Sequence, residues 1–198
     1  MPDPYRGIKQ ALTRPSSSSS DFDLNPDFKL PAGRKLRPAG VLAAFVDIKQ
    51  EPHLILTKRA SHLKHHPGQI AFPGGKQDDT DVDVVAAALR EAHEEVGLHP
   101  RSVEVLGTLP AHETVTSFTV TPVLARVTGA FDPVPEPGEV DEIFYVPLSH
   151  VTDPRRYSIQ GRRWRGVRRH YYTVAYGPYY IWGATARILR GLADRMNG

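Results

Sequence analysis

Short apolar stretches separated by polar turns predict strands along most of the chain after residue 36. Residues 39–48 and 53–59 are β-type apolar runs joined by a polar turn. Residues 102–109 alternate polar and apolar positions with a period of two, which is typical of a strand with one buried face. The remaining predicted strands are 117–127, which Pro122 would bend or place at a sheet edge, 142–148, and aromatic segments within 170–183.

Apolar positions three and four residues apart predict two helices, over residues 82–96 and 184–196. The apolar stripe of the first consists of Val85, Leu89, Ala92 and Val96, and that of the second of Ile188, Leu189 and Leu192. Gly97 is placed to end the first helix, and a short helix is expected near Ser149. Many strands with few helices indicate an α/β or α+β domain built on a mixed sheet.

Residues 1–35 are expected to form an N-terminal extension to a globular domain at 36–198. The stretch "RPSSSSSDFDLNPD" is polar, low in complexity and punctuated by proline. Such a composition rarely buries enough apolar surface to offset the loss of chain entropy. We therefore expect a disordered or loosely docked arm.

Composition restricts the function classes. The 198 residues include no cysteine, which excludes disulfides, thiolate metal sites and a cysteine nucleophile. No apolar run approaches the roughly 20 residues of a membrane span, and residues 1–14 lack a hydrophobic signal core. We therefore expect a cytoplasmic protein without a membrane partner.

The charge is unevenly distributed. The formal net charge of +3 is too small to argue for nucleic acid by itself. However, acidic residues concentrate at 78–95, and seven arginines lie within 155–169. This asymmetry suits an anionic ligand that a metal bridges on one side and guanidinium groups contact on the other.

Three carboxylates crowd onto one side of the first helix, at Glu91, Glu94 and Glu95. Like charges three or four positions apart weaken a helix by about 0.2–0.5 kcal/mol per pair. A solvated acidic face is one explanation. The other is a divalent cation, since Mg²⁺ and Mn²⁺ prefer carboxylate oxygens. Gly74 and Gly75 allow close approach of the backbone, so the carbonyl of Gly75 is a further candidate ligand.

The segment "REAHEEVGL" (90–98) resembles the second half of the Nudix hydrolase signature, G-x5-E-x7-R-E-U-x-E-E-x-G-U, where U is aliphatic. The first half departs from it, because Asp81 replaces the glutamate and eight residues, rather than seven, separate it from Arg90. The resemblance implies an α/β/α sandwich with a mixed sheet between helices. It also implies a site with Glu91 and Glu95 as the principal metal ligands, Glu94 as a third ligand or base, and Arg90 orienting the carboxylates.

The segment "LTKRASHLKHHPGQIAFPGGKQDD" (56–79) resembles the extended motif that precedes the Nudix box in coenzyme A pyrophosphatases. Lys64 stands where that group usually has arginine, which keeps the charge but loses the bidentate fork. Residues 119–123 and 179–189 are similar to its downstream segments. The resemblance implies Mg²⁺- or Mn²⁺-dependent hydrolysis of coenzyme A or acyl-CoA to 3′,5′-ADP and 4′-phosphopantetheine or its acylated form.

The resemblance also suggests a substrate-binding set of Arg59, Lys64, Gln69, Phe72 and Gly74. Arg59 and Lys64, with His65 and His66 beside them, would bind the 3′-phosphate or the diphosphate of coenzyme A; a solvated basic loop is the alternative. Glu139 stands where many such enzymes place a carboxylate outside the box, as an extra metal ligand or general base. The alternative for Glu139 is a polar loop tip. His112, beside Glu113, receives no assignment.

The arginine-rich segment 155–169 is open to three interpretations. Guanidinium forks there would suit substrate phosphates. With Tyr157 and Trp164 interleaved, the segment would also suit RNA, and a mobile basic loop is the third reading. The aromatic residues at 171–182 are expected mostly in the core, with one available to stack on adenine.

Two rival functions stay open. The first is the same hydrolysis of another small molecule, such as NADH, ADP-ribose or an oxidised nucleoside triphosphate. The second is a non-catalytic Nudix module that binds RNA or a nucleotide through its arginines. We favour a small-molecule substrate over nucleic acid as the partner, and expect a monomer or homodimer.

Overall fold

A computed structural model describes residues 3–28, 33–164 and 166–198, with Trp164 described by its backbone alone. The helices are α1 (Arg6–Thr13), α2 (Val84–Val96), α3 (Leu148–Val151) and α4 (Gly183–Asn197). Single 3₁₀ turns lie at Pro100–Ser102 and Pro154–Arg156. The strands are β1 (Ser19–Ser20), β2 (Arg37–Ile48), β3 (Glu51–Arg59), β4 (Ile70–Ala71), β5 (Gly74–Lys76), β6 (Val103–Thr108), β7 (His112–Glu113), β8 (Phe118–Val127), β9 (Val140–Pro147), β10 (Ser158–Trp164), β11 (Val167–Tyr176) and β12 (Tyr179–Trp182). Within these ranges no helix has the length and hydropathy that a membrane span requires.

Strands β1 to β9 form one mixed sheet, and β10 to β12 form a smaller antiparallel sheet. The centre of the large sheet is the parallel pair β2 and β8, in register from Arg37 opposite Phe118 to Phe45 opposite Arg126. Strand β3 lies on the side of β2 away from β8, and it pairs antiparallel with β9. Strand β5 pairs with the start of β2, which brings the Gly74–Lys76 segment beside the middle of the sheet.

Alternate residues of β2 pack into two separate cores. Leu42 and Ala44 face one core, which contains the buried face of α2. Ala43 and Phe45 face the other, which contains α1 and α4. This alternation follows from the two-residue period of a strand. The sheet is therefore covered by helices on both faces, which confirms the predicted mixed α/β sandwich.

Helix α2 follows its local signals closely. Its N-cap is Asp83, whose carboxylate accepts a hydrogen bond from the Ala86 N–H at 2.8 Å. Gly97 ends it in the left-handed region, with φ of 74°. The predicted start at residue 82 was two residues early, because Val82 lies outside the cap.

Strand β8 runs through Pro122 without interruption, so the predicted bend or edge position is wrong. Its pairing with β2 continues across Pro122, which lies opposite Val41. The Pro122 carbonyl accepts the Leu109 N–H on the other side, where β6 has ended and β7 has not begun. The missing proline N–H faces this gap and costs no ladder hydrogen bond.

The N-terminal arm is packed against the domain over residues 3–28, which differs from the expectation of disorder. Tyr5, Ile8 and Ala11 are buried in the core that α4 lines. The Tyr5 hydroxyl donates to Asp47 at 2.7 Å. Arg195 of α4 donates to the carbonyls of Ala11 and of Arg14, the residue that ends α1. These apolar and polar contacts together offset the entropy of ordering the arm.

The arginine-rich segment forms regular structure. Residues 158–164 pair antiparallel with 167–173, so the interpretation as a mobile basic loop is not supported. Gly177, with φ of 54°, makes the turn that leads from β11 into β12. The side chain of Trp164, like all of Arg165, lies outside the described residues.

Candidate active site

The buried carboxylate of Glu95 meets the glycine turn that precedes α2. The Gly74 N–H donates to its Oε2 at 3.1 Å. Glu95 is 4% exposed, and burial raises the pKa of its carboxyl to about 8. The Gly74 hydrogen bond acts in the opposite direction. A charged Glu95 in this position therefore needs a further positive partner.

Gly74 is required by its backbone, and Gly75 leaves room for the carboxylate of Glu91. Gly74 has φ of 149°, and a Cβ there would lie 2.4 Å from the Gly40 carbonyl oxygen. A Cβ on Gly75 would lie 2.5 Å from the carboxyl carbon of Glu91. The turn consequently brings backbone into direct contact with two carboxylates of α2. Burial raises the pKa of Glu91, while its hydrogen bond from Arg90 lowers it.

Arg90 organises the carboxylates around it. Its Nε and Nη2 donate to the two oxygens of Asp81 at 3.0 and 2.9 Å, and this pairing lowers the pKa of Asp81. Its Nη1 donates to Glu91 at 3.0 Å and to Glu94 at 3.1 Å. Asp81 therefore fixes the guanidinium, and the guanidinium in turn limits the rotamers of the two glutamates.

Glu94 and Glu139 occupy different positions relative to this cluster. Glu94 is exposed, and its carboxylate is engaged by Arg90. Glu139 is also exposed, but its charge raises the pKa of both Glu91 and Glu95. Its carbonyl accepts the Ala60 N–H at 2.8 Å, which joins this loop to the end of β3. The charge of Glu139 thus reaches the half-buried Glu91 and the buried Glu95.

The donor set has the chemistry of a magnesium or manganese site. Glu91, Glu95 and Glu139 offer hard oxygen ligands and repel one another, and a divalent cation would offset that repulsion. Among the described residues, no three acidic or histidine side chains are grouped tightly enough to form a recognisable metal site. The fit therefore rests on the chemistry of the donors and on the burial of Glu95.

Arg59 lies beside the carboxylates at the end of β3. Its positive charge lowers the pKa of Glu95, and its Nε is buried without a hydrogen-bond partner. The backbone of Arg59 pairs with the loop that follows, donating to the Gln69 carbonyl and accepting from the Gly68 N–H, both at 3.0 Å. A buried, unsatisfied guanidinium N–H is costly unless a ligand accepts from it.

The other residues of the predicted substrate-binding set lie in different environments. Lys64 is exposed on the loop between β3 and β4. Gln69 is half-buried, and its amide nitrogen lies 3.6 Å from the point that a Cβ on Gly183 would occupy. Phe72 is 5% exposed within the core that contains α4, so its side chain offers no surface for a ligand. Its position does not support the predicted substrate contact.

A buried histidine links the N-terminal arm to the sheet, a contact that the sequence did not indicate. His112 is fully buried; its Nδ1 lies 2.9 Å from the Ser19 hydroxyl and its Nε2 lies 3.1 Å from Asp21. Asp21 also accepts the Val115 N–H at 2.8 Å. The charge of Asp21 raises the pKa of His66, whereas burial and the charge of Arg59 lower that pKa. The arm therefore approaches the loop that follows β3.

The chain is similar to several known proteins in sequence and in fold. Residues 36–165 match the NUDIX domain family. The uncharacterized Nudix hydrolase NudL of Enterobacter sp. (strain 638) is 45% identical over 157 residues, covering 79% of this chain and 81% of the relative. NudL of Escherichia fergusonii is 43% identical with the same coverage. The MutT/nudix family protein of Enterococcus faecalis superposes with a TM-score of 0.52 at 14% identity, covering 87% of this chain and 66% of that one, and shares the fold.

Proposed function

The chain belongs to the Nudix hydrolase family, and on that premise we propose that it hydrolyses the diphosphate of coenzyme A or an acyl-CoA. The products would be 3′,5′-ADP and 4′-phosphopantetheine or its acylated form. Family membership supports hydrolysis of a diphosphate bond in a nucleotide derivative. The choice of coenzyme A is the finer step, and it rests on the resemblance of residues 56–79 to the coenzyme A pyrophosphatases.

The observation that carries the proposal is the contact between the glycine turn and α2. The Gly74 N–H bonds to Glu95, and Gly75 lies against Glu91. The extended motif at 56–79 and the acidic helix therefore meet in one cluster of atoms. Residues that select the substrate and residues that act on the diphosphate would share this cleft.

Mg²⁺ or Mn²⁺ fits the site as the metal. Glu91 and Glu95 would be its principal ligands, with Glu94, Glu139 and the carbonyl of Gly75 as further candidates. When bound, such an ion supplies charge neutralisation at the diphosphate and lowers the pKa of a bound water. The Gly74 N–H and the Arg90 guanidinium would orient the two principal carboxylates through their observed hydrogen bonds.

Either Glu139 or Glu94 would accept the proton of the attacking water. We favour Glu139, because its charge acts on both Glu91 and Glu95, whereas the charge of Glu94 acts on Glu91 and its carboxylate is already engaged by Arg90. A carboxylate paired with a guanidinium is a weaker proton acceptor. Glu139 is therefore our preferred general base, acting from a loop opposite α2.

Arg59 would bind the diphosphate. Its buried Nε is an unused donor beside the carboxylate cluster, and guanidinium groups pair well with phosphate oxygens. A fixed positive charge there would offset the negative charge that builds on the non-bridging oxygens as the bond breaks. Lys64, exposed on the same loop, would contribute a less directional charge to the 3′-phosphate.

Lys64 stands where the coenzyme A pyrophosphatases usually have arginine, and this difference leaves a second candidate function. If the lost guanidinium fork relaxes selection for the 3′-phosphate, the same site would act on NADH, ADP-ribose or an oxidised nucleoside triphosphate. A substrate panel with Mg²⁺ and with Mn²⁺ separates these cases. We expect preferred turnover of coenzyme A or an acyl-CoA; equal or faster turnover of ADP-ribose or NADH would overturn the assignment.

The glutamates provide the test of the site itself. Glu95→Gln should abolish metal-dependent turnover while circular dichroism and the unfolding transition show an intact fold. Glu104→Gln is the matched control, because Glu104 is an exposed glutamate on β6 outside the cluster. Unchanged turnover in Glu91→Gln and Glu95→Gln would refute the assignment of these residues as metal ligands. If the parent protein shows no turnover, the remaining candidate is a non-catalytic binding module.

A further inference from the structure

Strands β10 and β11 project from the small sheet as a two-stranded ribbon. They pair from Ser158 opposite Thr173 to Trp164 opposite Val167. Strand β12 pairs only with residues 173–176 of β11. Residues 158–164 and 167–172, here called the basic ribbon, therefore extend beyond the third strand.

The ribbon lies in a stretch with no acidic residue. Residues 154–193 contain nine arginines and neither aspartate nor glutamate. Several of these arginines have acidic partners elsewhere: Arg155 and Arg156 pair with Asp153, Arg187 with Asp23, and Arg190 with Asp194. In contrast, Arg162, Arg163 and Arg168 are exposed and form no ion pair with any described residue. The ribbon thus presents uncompensated positive charge to solvent.

An aromatic cluster adjoins these charges on one face. The rings of Tyr171 and Trp182 are 5.3 Å apart, and Tyr180, on the same strand as Trp182, is 48% exposed. Because side chains alternate along a strand, the pairings place Tyr171 on the same face as Arg162 and Arg169. This face therefore combines guanidinium groups with exposed aromatic surface.

The N-terminal arm holds the ribbon in place. The Asn25 side chain donates to the His170 carbonyl at 2.9 Å and accepts the His170 N–H at 2.8 Å, so it mimics a neighbouring strand. The guanidinium of Arg169 lies 4.0 Å from the centre of the Phe28 ring. The ribbon is braced at its free edge, which lowers the entropy lost when a ligand binds.

We propose that the basic ribbon and the aromatic cluster beside it bind single-stranded nucleic acid. Guanidinium groups would contact phosphates, and exposed rings would stack on bases that a single strand leaves accessible. The polar residues Ser158 and Gln160 on the same face fit a nucleic acid better than a lipid surface. This binding is independent of the proposed hydrolysis of coenzyme A.

Fluorescence anisotropy with a labelled oligouridylate of about 12 nucleotides tests the proposal on the full-length protein. Affinity should fall as salt rises, because bound phosphates release counterions. The variant Arg162→Gln should weaken binding roughly 5-fold near 0.1 M salt, if one phosphate contact is lost at about 0.7 in the salt slope. The slope itself should fall by roughly 0.7. Arg163 follows Arg162 on β10 and lies on the opposite face, so Arg163→Gln should have a smaller effect.

Two controls separate the ribbon from bulk charge. Arg155→Gln removes the same charge from the adjacent 3₁₀ turn, where Arg155 pairs with Asp153, and should keep nearly full affinity. Tyr180→Ala should weaken binding about 5- to 150-fold through lost stacking, while Tyr180→Phe retains it. Circular dichroism verifies that each variant is folded.

Three results would overturn the proposal: no binding of the oligouridylate at low salt, equal losses in Arg162→Gln and Arg155→Gln, or preferential binding of a duplex of the same length. Binding to anionic phosphatidylglycerol vesicles without binding to the oligouridylate would assign the ribbon to a lipid surface instead. Failure here leaves the result for Glu95→Gln unaffected, so the two proposals fail separately.

Discussion

Arg90 and Asp81 form a bidentate ion pair that joins the acidic helix to the loop before it. The Nε and Nη2 of Arg90 donate to the two Asp81 oxygens at 3.0 and 2.9 Å. Asp81 occupies the position that departs from the Nudix signature, with a shorter side chain and one extra residue in the spacing. The pair shows what this position does in the chain: it fixes the guanidinium that holds Glu91 and Glu94.

Removing this ion pair should weaken the metal site without removing a ligand. In Asp81→Asn, the amide cannot accept the bidentate fork with both atoms, so Arg90 would no longer hold Glu91 in place. We expect a roughly 10- to 100-fold loss of turnover or metal affinity, as for other groups that orient ligands. Turnover against metal concentration measures this. Asp81→Glu should recover most of the activity, and a variant Asp81→Asn with parent-like metal dependence would contradict the argument.

A methyl group on Gly75 should disrupt the same cluster by steric contact. The Cβ of Gly75→Ala would lie 2.5 Å from the Glu91 carboxyl carbon, so Glu91 has to move. We expect turnover to fall at least tenfold, since a small displacement of a catalytic group is costly. Steady-state kinetics with coenzyme A and Mn²⁺ gives the comparison.

Gly191→Ala is the matched control for this substitution. Gly191 lies inside α4, and a Cβ there would meet Arg187 at an ordinary 3.7 Å. Alanine in a helix interior should raise the free energy of unfolding by roughly 1 kcal/mol and leave turnover unchanged. If Gly75→Ala were as active as Gly191→Ala, the close approach of the turn to Glu91 would not matter for activity.

The local features of the fold were predictable, because nearby residues determine them. Asp83 caps α2 and Gly97 ends it through contacts within a few residues. The pairing of Asp81 with Arg90 was not predictable, since the signature expects a different residue and spacing. The burial of Tyr5 was equally hidden, because its hydroxyl partner is Asp47, 42 residues away.

The arm should contribute to stability as part of the domain. Ile8 is fully buried against the α4 core, so Ile8→Ala should lower the free energy of unfolding by about 2–5 kcal/mol. The exposed Val134, 63% accessible, provides the control Val134→Ala, with an expected change within about 0.5 kcal/mol. Denaturant unfolding monitored by tryptophan fluorescence measures both. Equal stabilities would mean that the arm is not part of the cooperative unit.

Glutamine substitutions at Glu139 and at Glu94 test which carboxylate is the general base. Glu139→Gln should lower kcat about 10²- to 10⁴-fold if Glu139 accepts the proton from water. Glu94→Gln should have a smaller effect, because Arg90 already engages that carboxylate. Single-turnover kinetics at saturating metal isolates the chemical step. A larger loss in Glu94→Gln would transfer the role to Glu94.

The sequence alone did not decide which ligand the basic ribbon would bind. In the sequence, the arginines between residues 155 and 169 fitted a loop, a phosphate site or an RNA site. Their pairing across β10 and β11 and the contact of Asn25 with His170 were not apparent. The contact of Asn25 with His170 joins segments 145 residues apart, which periodicity and composition do not encode.

The proposed hydrolysis of coenzyme A at the Glu95 site is tested most directly by identifying the products. The protein is incubated with coenzyme A and Mg²⁺ or Mn²⁺, and the products are separated and identified by mass spectrometry beside Glu95→Gln and Glu104→Gln. We expect equal amounts of 3′,5′-ADP and 4′-phosphopantetheine from the parent and Glu104→Gln, and none from Glu95→Gln. Intact coenzyme A after incubation with the parent, or the same products from Glu95→Gln, would contradict it.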